Sequence, residues 1–207
     1  MATLHPSAAS AAGELIEVSA GPGLWERVFA VAPLVLVGTK EGEGYDFAPK
    51  HMAMPLGQES YYCFVCSPRH ATYQNVLAHP QFTVNVPRPE QVLESSLAAG
   101  GRSAGGAKPT LAALATVPAR AVEVPLLAGC SLALECELDR ILDGFGENSL
   151  VVGRVVAAAA ARDALRGAEV DDADLVHRLG LFAYLAPGRF AVVRESHGFP
   201  YPFDFRR

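Results

Sequence analysis

Short runs of β-branched and aromatic residues, separated by Gly-, Pro- and Asp-rich breaks, set the hydrophobic pattern of this chain. Pro33–Thr39 (PLVLVGT) is a brief continuous apolar run ending in Gly-Thr, which suits a buried strand better than a helix. Tyr61–Cys66 (YYCFVC) is a second strand, stopped by Ser67-Pro68. Phe82–Val86 (FTVNV) alternates apolar and polar residues up to Pro87 and forms a third. Between them, His70–Ala78 (HATYQNVLA) suits a helix that ends near His79-Pro80. Val92, Leu93 and Leu97 give Pro89–Ala99 helical spacing, and Pro109–Ala115 forms another short helix after the Gly-rich loop Gly100–Gly106.

Toward the start, Glu14–Val18 alternates and predicts a first short strand, and Trp25–Ala30 predicts a helical turn after Gly21-Pro22-Gly23. Glu41–Gly44 supplies a turn, and Tyr45–Gly57 mixes polar and apolar residues without periodicity, as functional segments do. The second half is strand-rich. Ala121–Val124, Ser131–Asp143 and Ser149–Ala158 are expected as strands, with Asp143–Asn148 (DGFGEN) as a hairpin turn. Val170–Arg178 predicts a short helix, and Phe182–Leu185 with Arg189–Arg194 a last hairpin around Pro187-Gly188. The class is mainly β (α+β): a closed or split antiparallel β-barrel with short flanking helices. A doubly wound parallel sheet requires strand–helix alternation, which fails after Ala121. Residues 1–20 are expected as an N-terminal arm with its short strand, followed by one domain over 21–207.

Composition narrows the partners. The chain has 207 residues, 19% of them charged, with 17 Lys plus Arg against 22 Asp plus Glu and a formal charge of -5. That balance gives no electrostatic reason to expect a nucleic acid or an anionic membrane as partner. No stretch approaches the ~20 apolar residues of a membrane-spanning helix. Met1–Gly13 has neither a basic leader nor an apolar core, so a cytoplasmic protein is expected. Cys63 and Cys66 make a C-x-x-C, which fits a redox pair or half of a zinc site. Their strand setting favours core packing instead, because residues three apart on a strand point to opposite faces. Cys130 and Cys136 have no His at metal-ligand spacing.

Two clusters can carry chemistry. One is Asp46-Phe47-Ala48-Pro49-Lys50-His51-Met52; the other is Ser67-Pro68-Arg69-His70-Ala71-Thr72-Tyr73-Gln74-Asn75, set between a strand and a helix. Unpaired amides and the positive end of the macrodipole favour an anion at such a helix start. Ser67 and Thr72 add hydroxyls, and Arg69 and His70 add charge. The competing reading makes Ser67 or Thr72 a simple helix cap and Arg69 a solvated side chain. For the first cluster, the competing reading is a polar loop with an ordinary Ala-Pro turn. The Gly-rich loop contains neither a dinucleotide fingerprint nor a G-K-[ST] phosphate loop.

Pro33–Thr39, Asp46–Pro49, Ser67–Asn75 and Phe82–Val86 occur in the order of the flavin reductase-like, FMN-binding split-barrel family, which the chain resembles over roughly residues 30–160. Ser103–Lys108 resembles that family's small-residue loop leading to a Lys. Leu134–Leu138 and Leu150–Val155 resemble its paired barrel strands. The resemblance implies a split barrel, a homodimer and FMN at the subunit boundary. It implies Ser67, Arg69, His70, Ala71, Thr72 and Asn75 around the phosphate and ribityl chain, and backbone groups of Phe47, Ala48 and Pro49 at the isoalloxazine edge. Three departures stand out: Asp46 where Asn is common, Lys50-His51 where a Ser-containing continuation is usual, and Arg154 where Glu is frequent. Lys50 or His51 would then stabilise the negative charge that reduction brings near flavin N1. The implied activity is hydride transfer from NADH or NADPH to FMN, with a partner monooxygenase as one recipient of reduced flavin. A non-catalytic flavin-binding or electron-carrier protein is the alternative, and a cysteine- or zinc-stabilised interaction protein stands further off.

Overall fold

The structure is a computed structural model that describes residues 15–21, 23–104, 106 and 108–201. The arm expected over Met1–Gly13 lies outside the described residues. Among these residues twelve strands form: β1 (Ala30–Pro33), β2 (Val35–Glu41), β3 (Gly44–Lys50), β4 (Ala53–Pro55), β5 (Tyr61–Cys66), β6 (Gln81–Val86), β7 (Thr116–Val117), β8 (Leu126–Leu127), β9 (Leu132–Phe145), β10 (Asn148–Ala160), β11 (Leu181–Ala186) and β12 (Arg189–Val193). Three α-helices join them: α1 (Ala71–Ala78), α2 (Val92–Leu97) and α3 (Asp172–Leu179). A 3-10 turn, Pro109–Ala113, replaces the short helix expected there.

Seven strands make one antiparallel sheet in the order β3-β2-β6-β9-β10-β5-β4. The sheet curls until β3 and β5 approach each other, giving the half-closed wall of a split barrel. A separate sheet, β1-β11-β12, reaches β4 through β1, and β7-β8 form a small ribbon.

The apolar run in β2 is continuous because both faces of that strand are covered. Val35 and Val37 enter the barrel core with Phe64, Phe82, Val84 and Val151, while Leu36 packs outside it with Phe47, Ala98, Leu114 and Leu127. Phe64 and Phe82 meet edge to face, with centroids 5.4 Å apart. Asn85 is buried on β6 and fully engaged. It donates to the Leu36 carbonyl (3.1 Å) and accepts from the Leu127 amide (2.8 Å), tying β8 to the sheet.

Two expected strands are absent. Leu15–Val18 forms none: no sheet edge receives it, and Leu15 and Ile16 stay exposed; Glu14 is outside the described residues. Ala121–Val124 is a series of bends. Its amides go to a side chain rather than to a ladder, since one carboxylate oxygen of buried Glu135 accepts from Arg120 (3.0 Å), Ala121 (2.5 Å) and Val122 (3.2 Å). The expected turn Trp25–Ala30 is shorter, a 3-10 turn over Leu24–Glu26, with Ala30 already in β1.

Gly153 is required by close approach. A Cβ there would lie 2.3 Å from Phe82 Cζ, which has no free space to retreat into. Gly153→Ala is therefore expected to destabilise the protein by about 1–3 kcal/mol, as overpacked cores do. Urea titration checks this, and Phe82→Leu in the same chain should recover part of the loss.

Candidate functional site

The site begins where β5 stops. Pro68 cannot extend the strand, and the chain turns: the His70 amide donates to the Ser67 carbonyl (2.9 Å) and the Arg69 amide to Ser67 Oγ (3.4 Å). Gln74 Nε2 closes back on the Pro68 carbonyl at 2.8 Å. Helix α1 starts at Ala71 with His70 as its N-cap residue, and no side chain caps it. Capping by Ser67 or Thr72 is thus not realised, and the helix start keeps its attraction for an anion. Asn75 Nδ2 donates to Thr39 Oγ1 (3.0 Å) and, with buried Thr72, Tyr73 and Val76, fastens α1 to the barrel.

Opposite this turn lies the end of β3. Between them is a cleft of about 350 Å³ walled by Ala48, Pro49 and Lys50, by Arg69–Thr72, and by Ala98–Gly100 after α2. A smaller compartment of about 190 Å³ adjoins it, lined by Lys50, His51, Cys66, Ser67, His70 and Asn148. On the far side of the Ser67 turn, a third opening of about 480 Å³ separates α1 from the β9–β10 hairpin.

Most of the expected site residues converge. Asp46, Ala48, Pro49, Lys50, Arg69, His70, Ala71 and Thr72 line the main cleft, and His51 and Ser67 line the compartment beside it. Two do not. The Phe47 ring is buried in the outer core, and its carbonyl accepts from Lys108 Nζ at 2.6 Å. Asn75 spends its amide on Thr39 instead of the cleft. Arg154 lies away from the site, paired across the barrel surface with Glu137 at 2.5 Å.

Asp46 faces inward against two cations, Lys108 Nζ at 3.0 Å and Arg102 Nη2 at 3.3 Å. Sequence reasoning left both out of the site. Lys108 carried a signal, as the Lys that ends the small-residue loop; Arg102, inside a Gly-rich stretch, carried none. Arg102 also bridges to Glu41 (2.8 Å), so this carboxylate–cation group is satisfied within itself.

The cleft mouth is different: it collects positive groups. Lys50 Nζ sits 3.4 Å from Cys66 Sγ. Burial, then the nearby Lys50 charge, lowers the His51 pKa, and the ring packs on Tyr184 with centroids 4.8 Å apart. Burial, then Lys50 and Arg69, lowers that of His70. The Arg69 guanidinium is exposed and pairs with Glu147 across the third opening. An anion entering the cleft would relieve this crowding. All four cysteines are free, and no group of His, Cys, Asp or Glu suited to a metal occurs among the described residues. No helix among those residues is long and apolar enough to cross a membrane.

A seven-stranded antiparallel sheet curled into a half-barrel defines a split-barrel protein. Residues 29–181 match the flavin reductase like domain, and the chain belongs to that family. Its fold is similar to nitrilotriacetate monooxygenase component B from Bacillus cereus (TM-score 0.75, 18% identity, covering 90% of this chain and 100% of that one). It is also similar to an FMN-binding protein from Thermus thermophilus solved with 1-cyclohex-2-enone (TM-score 0.70, 20% identity, covering 90% and 99%). A third likeness is to the Streptomyces globisporus NADH:FAD oxidoreductase (TM-score 0.58, 19% identity, covering 64% and 77%). No curated protein sequence matches the chain significantly.

Both histidines titrate lower in the folded chain than the ~6.5 of an open imidazole, so near pH 6 the unfolded chain binds more protons. Their contribution to stability is complete above ~6.5 and is lost as pH falls through the lowered folded values. Thermal melts between pH 7.5 and 5.5 should therefore show a larger loss in the wild type than in a His51→Gln/His70→Gln variant. Added inorganic phosphate should shrink the wild-type loss.

Proposed function

We propose that this chain holds FMN in the cleft between β3 and α1 and works as an NAD(P)H-dependent flavin reductase. The observation that carries this reading is the uncapped start of α1, facing a cleft rimmed by Lys50, Arg69 and His70. Amides of Ala71 and Thr72, the Thr72 and Ser67 hydroxyls and the Arg69 guanidinium are the groups suited to a phosphate. Ala48, Pro49 and Lys50, at the end of β3, suit the edge of a planar heterocycle. The fit is consistent in charge: Asp46, the one carboxylate of this wall, is already neutralised by Lys108 and Arg102.

Bound flavin supplies the hydride-accepting chemistry itself. The chain's part is to orient the reactants, limit water and offset charge. No proton-transfer dyad is needed for direct hydride transfer. Lys50 and His51 provide that offset, as a fixed cation and an imidazole at the end of the strand. The Thermus protein is described as FMN-binding, the Streptomyces protein as an NADH:FAD oxidoreductase and the Bacillus protein as a monooxygenase component, and all three share this fold. By analogy with them, a partner monooxygenase is the recipient of reduced flavin, and the protein acts in the cytoplasm, where nicotinamide nucleotides are plentiful. A homodimer is supported by the exposed apolar side chains on and near the β1-β11-β12 sheet, including Trp25, Phe29, Val31, Phe190 and Val193.

The purified protein should bind FMN saturably in an equilibrium fluorescence titration, and the flavin should bleach when NADH or NADPH is added without oxygen. Absence of FMN binding would end the proposal, while binding without bleaching would leave a flavin-binding or electron-carrier protein. Lys50→Met should make the bound flavin's reduction potential roughly 20–40 mV more negative, the two-electron equivalent of about 1–2 kcal/mol of lost charge stabilisation. Spectroelectrochemical titration reads this, and an unchanged potential removes Lys50 from the role.

A further inference from the structure

Asp46 is the one carboxylate among the described residues that line the main cleft, which it shares with the cations of Lys50, Arg69, Arg102 and Lys108. It is 3% exposed, and each of its oxygens meets a cation: Oδ1 lies 3.0 Å from Lys108 Nζ and Oδ2 lies 3.3 Å from Arg102 Nη2. The two cations are unequally held. Lys108 is nearly as buried as Asp46 and is fastened to β3 twice, through Asp46 and through the Phe47 carbonyl. Arg102 is part-exposed and has two further acceptors, Glu41 Oε2 and the Gly106 carbonyl, both at 2.8 Å. With Glu41 included, two carboxylates and two cations give this group no net charge. Asp46 therefore decides how much of the positive charge around the cleft a ligand meets.

That balance matters most for a ligand whose own charge changes while it is bound. Hydride transfer adds two electrons and one proton to FMN and leaves the nicotinamide oxidised, so the reduced ring carries one more negative charge until a second proton joins it. The cleft is small, about 350 Å³, so a charge inside it lies within the ~10 Å over which dissolved salt screens. We infer that Asp46 sets the cleft's preference between the two redox forms of the flavin. By neutralising Lys108 and Arg102 it keeps the cleft from gripping reduced FMN far more tightly than oxidised FMN, and so lets the reduced form leave. The inference rests on the flavin reductase reading for its ligand. A neutral amide in this place would leave one cation without its oxygen, because an amide offers a single acceptor atom where a carboxylate offers two. The unmasked charge would favour the more anionic reduced form and raise the potential of the bound flavin. Lys50 and Asp46 then act in opposition: the cation offsets the incoming charge, and the carboxylate limits how far the offset goes.

The test uses the full-length, FMN-loaded protein and compares the reduction potentials of bound and free FMN by spectroelectrochemical titration. Their difference gives the ratio of affinities for reduced and oxidised flavin without any turnover. Asp46→Asn should raise that ratio about tenfold, which is a potential about 30 mV less negative for a two-electron couple. Arg102→Gln removes a part-exposed cation from the same group and should lower the ratio about threefold, a smaller effect because solvent screens it. The double variant restores the charge and should return to within about twofold of the wild type. Opposite signs and that return separate charge from mere loosening, since a slack cleft would draw every variant toward free flavin. Where Asp46→Asn does not fold, Arg102→Gln decides: a fall upholds the inference and an unchanged ratio overturns it. Unchanged ratios in both single variants, shifts of the same sign, or a double variant no closer to the wild type than its parents would overturn the inference and leave the flavin reading intact. Absence of FMN binding by the wild type would overturn both.

Discussion

Double-sided burial of β2 is the constraint on which the rest depends. Val35 and Val37 fill the barrel while Leu36 between them fills the outer core, so the strand can neither slip by one residue nor twist away. With β2 fixed, β3 hangs from one edge in strict register, Leu36 opposite Pro49 and Val37 opposite Ala48, and β6 from the other. Thr39, at the far part of the same strand, is the hydroxyl that Asn75 grips. Both walls of the cleft are therefore referenced to one buried strand, and the opening between them has a set width rather than an adjustable one.

The polar interior follows a consistent division. Asn85, Glu135 and Asp46 are buried, and each is satisfied by groups from outside the seven-stranded sheet: Leu127 of the small β7-β8 ribbon, Arg120–Val122, and Lys108 with Arg102. Irregular segments that the β-pattern cannot hold are held by these side chains instead. The groups at the cleft mouth are left out of this arrangement. Lys50, His51 and His70 line one compartment, and burial, then the Lys50 charge, lowers the pKa of both imidazoles. That contrast sets a satisfied interior apart from an unbalanced cleft mouth.

Much of the fold was legible along the chain because its strongest signals are local. Tyr61–Cys66 appears with the expected boundaries, and the last hairpin forms around Pro187-Gly188 as the turn residues indicate. The split antiparallel barrel itself follows from many short strands with few helices. What misled was structure made by distant partners. Val122 and Val124 are buried and β-branched, as in a strand, yet the Glu135 carboxylate, thirteen residues past Val122, takes the amides that a neighbouring strand would need. At the site, the turn after Ser67 was legible because Pro68 and the helix start are adjacent in sequence. Arg102 and Lys108 were not assigned, since their role arises only when a loop after α2 folds back on β3. Phe47 and Asn75 belong to the two motifs expected to carry the site, but their side chains serve packing and docking.

The Lys108 ammonium touches two kinds of partner at once, the Asp46 carboxylate and the main-chain carbonyl of Phe47. It is a rivet through the backbone as well as a counter-ion. Through it, the segment between α2 and the Pro109–Ala113 turn is mechanically coupled to the strand that forms the cleft's edge. A sequence change far along that segment, touching nothing in the opening, would be transmitted to the position of Ala48 and Pro49. One buried nitrogen thus sets where that loop can end, and a change that displaces it would be felt at the cleft's edge.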